Sequence, residues 1–423
     1  PIAYENAEAR ERLESLADGF LMHDRPIYMR IDDSVVTMLR DKPYLVRRAR
    51  GFAPQQLRLP WDAVPLLATG TELKNTFCLT RERYAFVSHY IGDLENQETL
   101  SSFEQAIHHY ERVFRIQPEA LACDLHPDYL ATRYAQARSR AESLPLVAVQ
   151  HHHAHIASCL AENSWASPEP VIGLAYDGTG YGTDGSIWGG EILIAGYKEF
   201  TRRFHLAPLP LPGGDLAVRK PARMALSYLL AAGIDLEDQT LASVAYLTPA
   251  EAQAVRHQAR TGFNAPLTSS MGRLFDAVAA LMGLCEEISY EAQAAMMLES
   301  TVDPQESGFY EMPMENDIID PLLMIRAIVA DLKASVSLGS IAARFHNSLI
   351  RMSVEACRQI RKESGLRTVA ISGGVWQNMR LMNLILPALE AEDFTPLIHT
   401  QLPPNDGCVS LGQAAVALAR LQG

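Results

Sequence analysis

The spacing of apolar and polar positions changes period several times along the chain. Residues 5–22 place Leu13, Leu16, Phe20 and Leu21 at helical spacing. Ile27–Arg30 and Val35–Leu39 read as short strands around Asp32-Asp33, and a basic run, Arg47-Arg48-Ala49-Arg50-Gly51, follows. The two prolines within Leu57–Pro65 are expected to end this first unit, with a boundary near residue 60. From residue 66, alternation at period two predicts strands over Leu66–Gly70, Thr76–Thr80 and Tyr84–Ser88. A helix is expected over 98–114, a strand over Ala120–Asp124, a helix over 127–142 and a strand over Leu144–Gln150. Val171–Tyr176 is an apolar strand, a Gly-rich turn runs from Asp177 to Gly185, and Ile187–Ala195 returns as a strand. Residues 215–345 are mostly helical, with periodic runs over 222–232, 271–284, 291–299 and 322–332. The chain closes with a helix over 339–363, a strand Thr368–Ser372, a Gly-Gly turn, a helix over 376–390 and a last helix over 408–421. Strand hairpins, a helical middle and a final β/α alternation suit a two-lobed α/β protein that holds its ligand between the lobes.

Composition changes this picture little. At 423 residues the chain has room for about three compact units. Apolar residues at 48% and charged residues at 21% argue against long disorder. Lys and Arg number 37 against 50 Asp and Glu, a net charge of −13, so a general polyanion-binding surface is disfavoured. The six cysteines are dispersed without a C-x-x-C pair, which reads as reduced thiols and not a cysteine zinc site. No apolar run approaches the ~18 residues of a membrane span, and no signal peptide is visible, so a cytoplasmic location is expected. The chain opens Pro-Ile-Ala-Tyr within a helical pattern, and that start is expected to be a cut in a longer protein.

Four histidines fall within five residues, His151-His-His-Ala-His155, directly after a strand. On a helix His151 and His155 share a face one turn apart and can share a metal ion, whereas a polar helix start would leave them solvated. No Glu stands in the second position, so the zincin motif is absent and a metallopeptidase is a poor reading. Two histidines need oxygen partners. Asp177, at the end of a strand, and Asp406, in Pro403-Pro-Asn-Asp-Gly407, are placed to supply them. A turn residue would explain Asp177 equally well, and a helix N-cap would explain Asp406. Gly178, Gly180 and Gly182 alternate in a turn resembling a phosphate loop, and Ser372-Gly373-Gly374 leads from a strand into a helix start. Lys74 sits in a turn where it can face a phosphate or only water. Asp276 and Glu291 at helix positions can accept hydrogen bonds from ribose hydroxyls, and Pro212-Gly-Gly-Asp215 is a turn open to ligand contact or not.

Taken together these strings resemble one family. His151–His155, Asp177-Gly-Thr-Gly-Tyr-Gly-Thr-Asp-Gly-Ser-Ile-Trp-Gly-Gly-Glu191, Ser372-Gly-Gly-Val-Trp-Gln-Asn378 and Asn405-Asp-Gly407 resemble HypF, the carbamoyltransferase family of NiFe-hydrogenase maturation. Ala68-Thr-Gly-Thr-Glu-Leu-Lys-Asn75, Gly92-Asp-Leu-Glu-Asn96 and Ser289-Tyr-Glu-Ala-Gln293 extend the resemblance over essentially the whole chain. It implies a two-lobed TsaD-like α/β domain of the actin/sugar-kinase/Hsp70 fold, preceded by the C-terminal part of a YrdC-like domain. Residues 1–60 would be the YrdC-like part, 64–205 the first lobe, and 206–423 the second lobe, its C-terminal helix returning to the first. The implied activity moves a carbamoyl group from carbamoyl adenylate, made from carbamoyl phosphate and ATP, to the C-terminal cysteine thiol of HypE. The implied metal ligands are His151, His155, Asp177 and Asp406, which carry the catalytic work together with Lys74. The implied nucleotide contacts are Asn75, Gly178, Gly180, Asp215, Asp276, Glu291, Gly373, Gly374 and Asn378.

One divalent ion is implied, and the donor set suits Zn, Fe(II) or Mn better than Mg. The family's acylphosphatase domain, zinc fingers and first YrdC-like part are not in this sequence. The 423 residues alone are therefore expected not to make carbamoyl adenylate from carbamoyl phosphate. The competing readings are a related tRNA threonylcarbamoyl or antibiotic O-carbamoyl transferase, and a non-catalytic nucleotide-dependent interaction module.

Overall fold

The computed structural model describes residues 3–234 and 238–421, and two sheets organise it. The first has four strands in the order Cys78–Val87, Leu57–Ala68, Ala120–Asp124 and Leu146–Val149. Its outer pair is antiparallel and the remaining pairings are parallel. Leu57–Ala68 runs straight through the boundary expected near residue 60. Pro60 and Pro65 do not end it; the pairing shifts register between Arg58 and Ala63 and again before Leu66, which accommodates residues lacking an N–H.

The second sheet has seven strands, in the order Met314–Glu315, Ile318–Ile319, Phe200–Leu206, Gly190–Ala195, Val171–Tyr176, Thr368–Ser372 and Thr395–Leu397. Residues 171–205, expected in the first lobe, thus form the centre of the second sheet. Thr368–Ser372 lies parallel to Val171–Tyr176, so both strands deliver their carboxyl ends to the same edge. Phe200–Leu206, for which no strand was expected, pairs antiparallel with Gly190–Ala195.

Two helices join the sheets. His151–Glu162 is buried along all twelve residues. On one side Ile156 packs so closely on Val171–Tyr176 that a Cβ at Gly173 would lie 2.6 Å from its side chain. On the other side the final helix, Val409–Leu421, approaches until a Cβ at Gly412 would lie 1.7 Å from the Ala154 carbonyl oxygen. Only glycine permits that approach. The final helix also packs its apolar face on the first sheet, against Leu66, Ala68 and Val87.

Several expected elements are shorter. The helix over 5–22 is confined to Asn6–Leu13, which buries no residue, and Leu16 and Leu21 are exposed, so no packing face carries it further. Ile27–Arg30 forms no strand. The turn after Gly373 is a short 3-10 segment, Gly374–Gln377, and the helix proper is Met379–Glu390. The full dipole end expected directly after Gly374 is therefore displaced by four residues.

Candidate metal centre

The carboxyl ends of four parallel-paired strands converge where the sheets meet, the usual place for ligands in open α/β sheets. Val171–Tyr176 presents Asp177 there, Leu146–Val149 leads into His151, Ala120–Asp124 ends in Asp124, and Thr368–Ser372 ends in Ser372. The Gln150 side chain accepts the His153 N–H at 2.8 Å and fixes the start of the histidine helix. His151 and His155 then lie one turn apart, as their spacing predicts. His155 Nε2 is 2.9 Å and His151 Nε2 3.4 Å from the same oxygen of Asp177. Both Nε2 atoms are 3.7 Å from Asp406 Oδ1. One ligand atom from each of the four residues lies within 4.8 Å of the others.

The alternatives weighed for the aspartates now separate. Asn405, not Asp406, caps the 3-10 turn Asp406–Cys408, accepting the Gly407 N–H at 3.0 Å, which leaves the Asp406 carboxylate to the cluster. Asp177 does both jobs. Its Oδ1 accepts the N–H groups of Gly178 at 2.7 Å and Gly374 at 3.2 Å, and its Oδ2 faces the imidazoles. Burial opposes the Asp177 charge, yet hydrogen bonds from His151 and His155 hold it well below the carboxylate range. Burial likewise opposes protonation of His151, but Asp124 and Asp177 outweigh it and push it up to about 10. This environment is built to hold positive charge among carboxylates. Two imidazole nitrogens and two carboxylates fit one divalent cation in a tetrahedral or more open sphere.

Around these four stands a layer that sequence reasoning missed. Asp124 Oδ2 lies 2.9 Å from His151 Nδ1. His155 Nδ1 is 3.1 Å from Ser372 Oγ and 3.4 Å from Cys408 Sγ. Ser372 Oγ is 2.9 Å from His399 Nε2, and His399 Nδ1 is 2.7 Å from Glu162. The available signal was positional: Asp124 and Ser372 end parallel strands just as Asp177 follows one. The other two histidines of the motif point elsewhere. His153 Nε2 meets the Gly196 carbonyl at 2.7 Å, and His152, held neutral by burial, packs over the glycine loop.

The residues expected to touch nucleotide are less convergent. Lys74 Nζ lies 2.5 Å from both carboxylate oxygens of Glu291, which bridges the first hairpin to the helical region. Burial works against the Lys74 charge, but Glu291, Asp406 and Asp177 outweigh it and raise its pKa, so Lys74 belongs to the rim of the cation cluster. Gly178 has open space beside it, the nearest atom to an added Cβ being an Arg273 Nη at 3.9 Å. At Gly180 a Cβ would lie 2.4 Å from the His152 ring, so this glycine admits the histidine helix. At Gly373 it would lie 2.1 Å from the Tyr176 carbonyl oxygen, and at Gly374 2.9 Å from Asp177 Oδ1. Asn75 is buried and donates to the Thr69 and Thr71 carbonyls. Asn378 caps Met379–Glu390 by accepting from Leu381 N–H and donates to His346 Nε2. Asp276 is buried with Arg273 Nε 2.7 Å away, and burial raises its pKa against the pull of that guanidinium. Asp215 is exposed at the start of Asp215–Arg219 and shares no bond with the cluster.

Two mixed sheets meet at this buried His/His/Asp/Asp cluster, and comparison with known families makes the fold Kae1-like (TsaD-like). Two family models agree: the HypF Kae1-like domain matches residues 62–162, and the carbamoyltransferase Kae1-like domain, second subdomain, matches residues 173–413. The chain belongs to the HypF carbamoyltransferase family. It is 38% identical to the carbamoyltransferase HypF of Synechocystis sp., over all of this chain and 56% of that protein. It is 37% identical to a carbamoyltransferase HypF homolog of Cupriavidus necator, over 84% of this chain and 92% of that protein. The crystal structure of full-length HypF in the phosphate- and nucleotide-bound form superposes with a TM-score of 0.93 at 41% identity, covering 100% of this chain and 66% of that one. The chain thus spans little more than half the length of the Synechocystis protein. Among the described residues no helix is long and apolar enough to cross a membrane.

Proposed function

We propose that this chain carries the group-transfer half of a carbamoylation. The donor is carbamoyl adenylate, formed from carbamoyl phosphate and ATP, and the acceptor is the C-terminal cysteine thiol of HypE, on the way to the cyanide ligands of the hydrogenase iron. The acceptor cysteine, as its thiolate, bonds through sulfur to the carbamoyl carbon, the bond from that carbon to the phosphate oxygen breaks, and AMP leaves with the bonding pair. The observation that carries the reading is the convergence of His151, His155, Asp177 and Asp406 on one point. A bound divalent ion, Zn, Fe(II) or Mn in preference to Mg, supplies Lewis acidity toward the carbamoyl carbonyl or the phosphate.

This chain's own residues bind and orient. Asp124 and Ser372 hold the imidazoles, and Lys74 places a charge at the rim. Gly178, Gly180, Gly373 and Gly374 with Asn75, Asp215, Asp276, Glu291 and Asn378 form the nucleotide side, Gly180, Gly373, Asn75 and Asn378 by shaping it. Residues 1–60 are read as the end of a YrdC-like domain and the location as cytoplasmic, and a net charge of −13 disfavours nucleic acid as a partner. Asp406→Asn tests the reading against a non-catalytic nucleotide-dependent module. The enzyme loses both bound metal and carbamoyl transfer to HypE, whereas a module tolerates the change.

A further inference from the structure

The two ligand imidazoles are held from behind in different ways. His151 Nδ1 meets the Asp124 carboxylate directly at 2.9 Å. His155 Nδ1 meets a hydroxyl, Ser372 Oγ, at 3.1 Å, and that hydroxyl leads away from the site through His399 to Glu162. All of these side chains are buried, and Glu162 is the last residue of the histidine helix.

The direction of this chain of bonds follows from counting protons. At its far end, Glu162 Oε1 accepts the N–H groups of Thr400 and Gln401 and the Thr400 hydroxyl. A carboxylate accepts only, so the bond from Oε2 to His399 at 2.7 Å needs Nδ1–H on His399. Burial opposes a charge on His399, whereas Cys408 and Glu162 push its pKa up to about 9; carrying the Nδ1 proton alone, as the relay requires, His399 offers a lone pair at Nε2, to which the Ser372 hydroxyl donates at 2.9 Å. The competing acceptors for that hydroxyl, the Pro404 carbonyl at 3.4 Å and Cys408 Sγ at 3.7 Å, are farther away. Having donated, Ser372 Oγ accepts from His155 Nδ1–H. Cys408 Sγ, 3.4 Å from the same nitrogen, is a second and weaker acceptor. Read from the other end, the answer is the same: His155 points Nε2 at Asp177 and Asp406, and ligation through Nε2 requires the proton on Nδ1.

We propose that Glu162, His399 and Ser372 form a one-way hydrogen-bond relay that holds His155 as the Nδ1–H tautomer, its Nε2 lone pair aimed at the cation. They are positioning residues. The inference rests on the reading of His151, His155, Asp177 and Asp406 as a cation site, and it extends that site through three residues outside that set of four.

Glu162→Gln tests it. The glutamine oxygen can still accept from Thr400 and Gln401, but its amide then donates to His399 Nδ1. That reverses the relay: His399 donates from Nε2, Ser372 donates to His155 Nδ1, and His155 is driven to carry its proton on Nε2. Zinc affinity of the full chain, measured by competition with a chelator, is expected to fall about tenfold or more in Glu162→Gln and in Ser372→Ala. In the Glu162→Gln/Ser372→Ala double variant it is expected to fall no further than in Ser372→Ala, because the relay is already cut. Glu162→Gln affinity within twofold of the unsubstituted chain, or losses that multiply in the double variant, would overturn the relay. Should Glu162→Gln fail to fold, nitrogen NMR of the histidine-labelled, zinc-loaded unsubstituted chain decides. Nδ1–H on both His155 and His399 is expected, and Nε2–H on His399, alone or beside Nδ1–H, contradicts it. An unsubstituted chain that binds no zinc overturns the cation site and the relay together, an outcome distinct from failure of the relay alone.

Discussion

The two halves of the site are built on different physics. Around His151 and His155 the fold aims every ligand atom at one point and backs each imidazole with a buried partner. On the side of Lys74, Glu291, Arg273 and Asp276 the charges are neutralised in pairs, Lys74 with Glu291 and Arg273 with Asp276. The first half is organised before any ligand arrives, as a site that polarises a substrate needs to be. In the second half a nucleotide must exchange one of those pairs for its own phosphate or ribose contacts. On the proposed reading, cation binding would be a property of the folded chain, whereas nucleotide binding would depend on side chains that change partners.

The largest effect belongs to the first half. Removing the metal by chelation, or substituting Asp177→Asn, is expected to lower carbamoyl transfer by roughly a thousandfold, since several kcal/mol of charge stabilisation is lost. Transfer assayed before and after readdition of Zn, Mn or Fe(II) checks it, and recovery is expected only for the unsubstituted chain. Asp124→Asn, one layer out, is expected to weaken metal affinity about 10- to 100-fold while leaving AMP affinity unchanged, as titrations of each ligand would show. Lys74→Met gives the mirror image. AMP affinity is expected to drop about tenfold, the worth of one charge-assisted contact, with metal content intact. A parallel loss of metal would mean that the two halves are not separable.

Smaller effects probe the support of each half. His89 and His346 are buried and pushed down to about 4 by that burial, against an unfolded value near 6.5. Between these values the unfolded chain binds protons that the folded chain refuses, so stability present above pH 6.5 falls as pH drops toward 4. The loss is on the order of 3 kcal/mol per histidine. Thermal melts from pH 7 to 4.5 should show the decline. Asn378→Ala removes the cap on Met379–Glu390 and the donor to His346, and is expected to cost about 1 kcal/mol in denaturant unfolding.

What could be read from the sequence follows the same division. His151 and His155 share a helix, so a spacing of four residues defines their relation before any tertiary structure exists. Asp177 and Asp406, at the end of a strand and before the last helix, could equally be a turn residue and a helix cap in the sequence, and only the family resemblance implies them as ligands. Ser372, His399 and Glu162 come together only through the packing of the sheets, and no local period announces them. Gly180 and Gly373 look like phosphate-loop glycines in the sequence, but in the fold they admit the His152 ring and the Tyr176 carbonyl. The strand Phe200–Leu206 was not legible because Arg202 and Arg203 in its middle leave little apolar alternation. The prolines of Leu57–Ala68 suggested an end where two register shifts occur instead.

On the proposed reading the fold itself assembles one cation site from His151, His155, Asp177 and Asp406 where the two sheets meet. Anomalous diffraction from crystals of the chain grown with zinc tests it most directly. One peak is predicted about 2.0–2.1 Å from Nε2 of both His151 and His155, with carboxylate oxygens of Asp177 and Asp406 completing the sphere. No peak there, or one held without Asp177 and Asp406, would contradict the account.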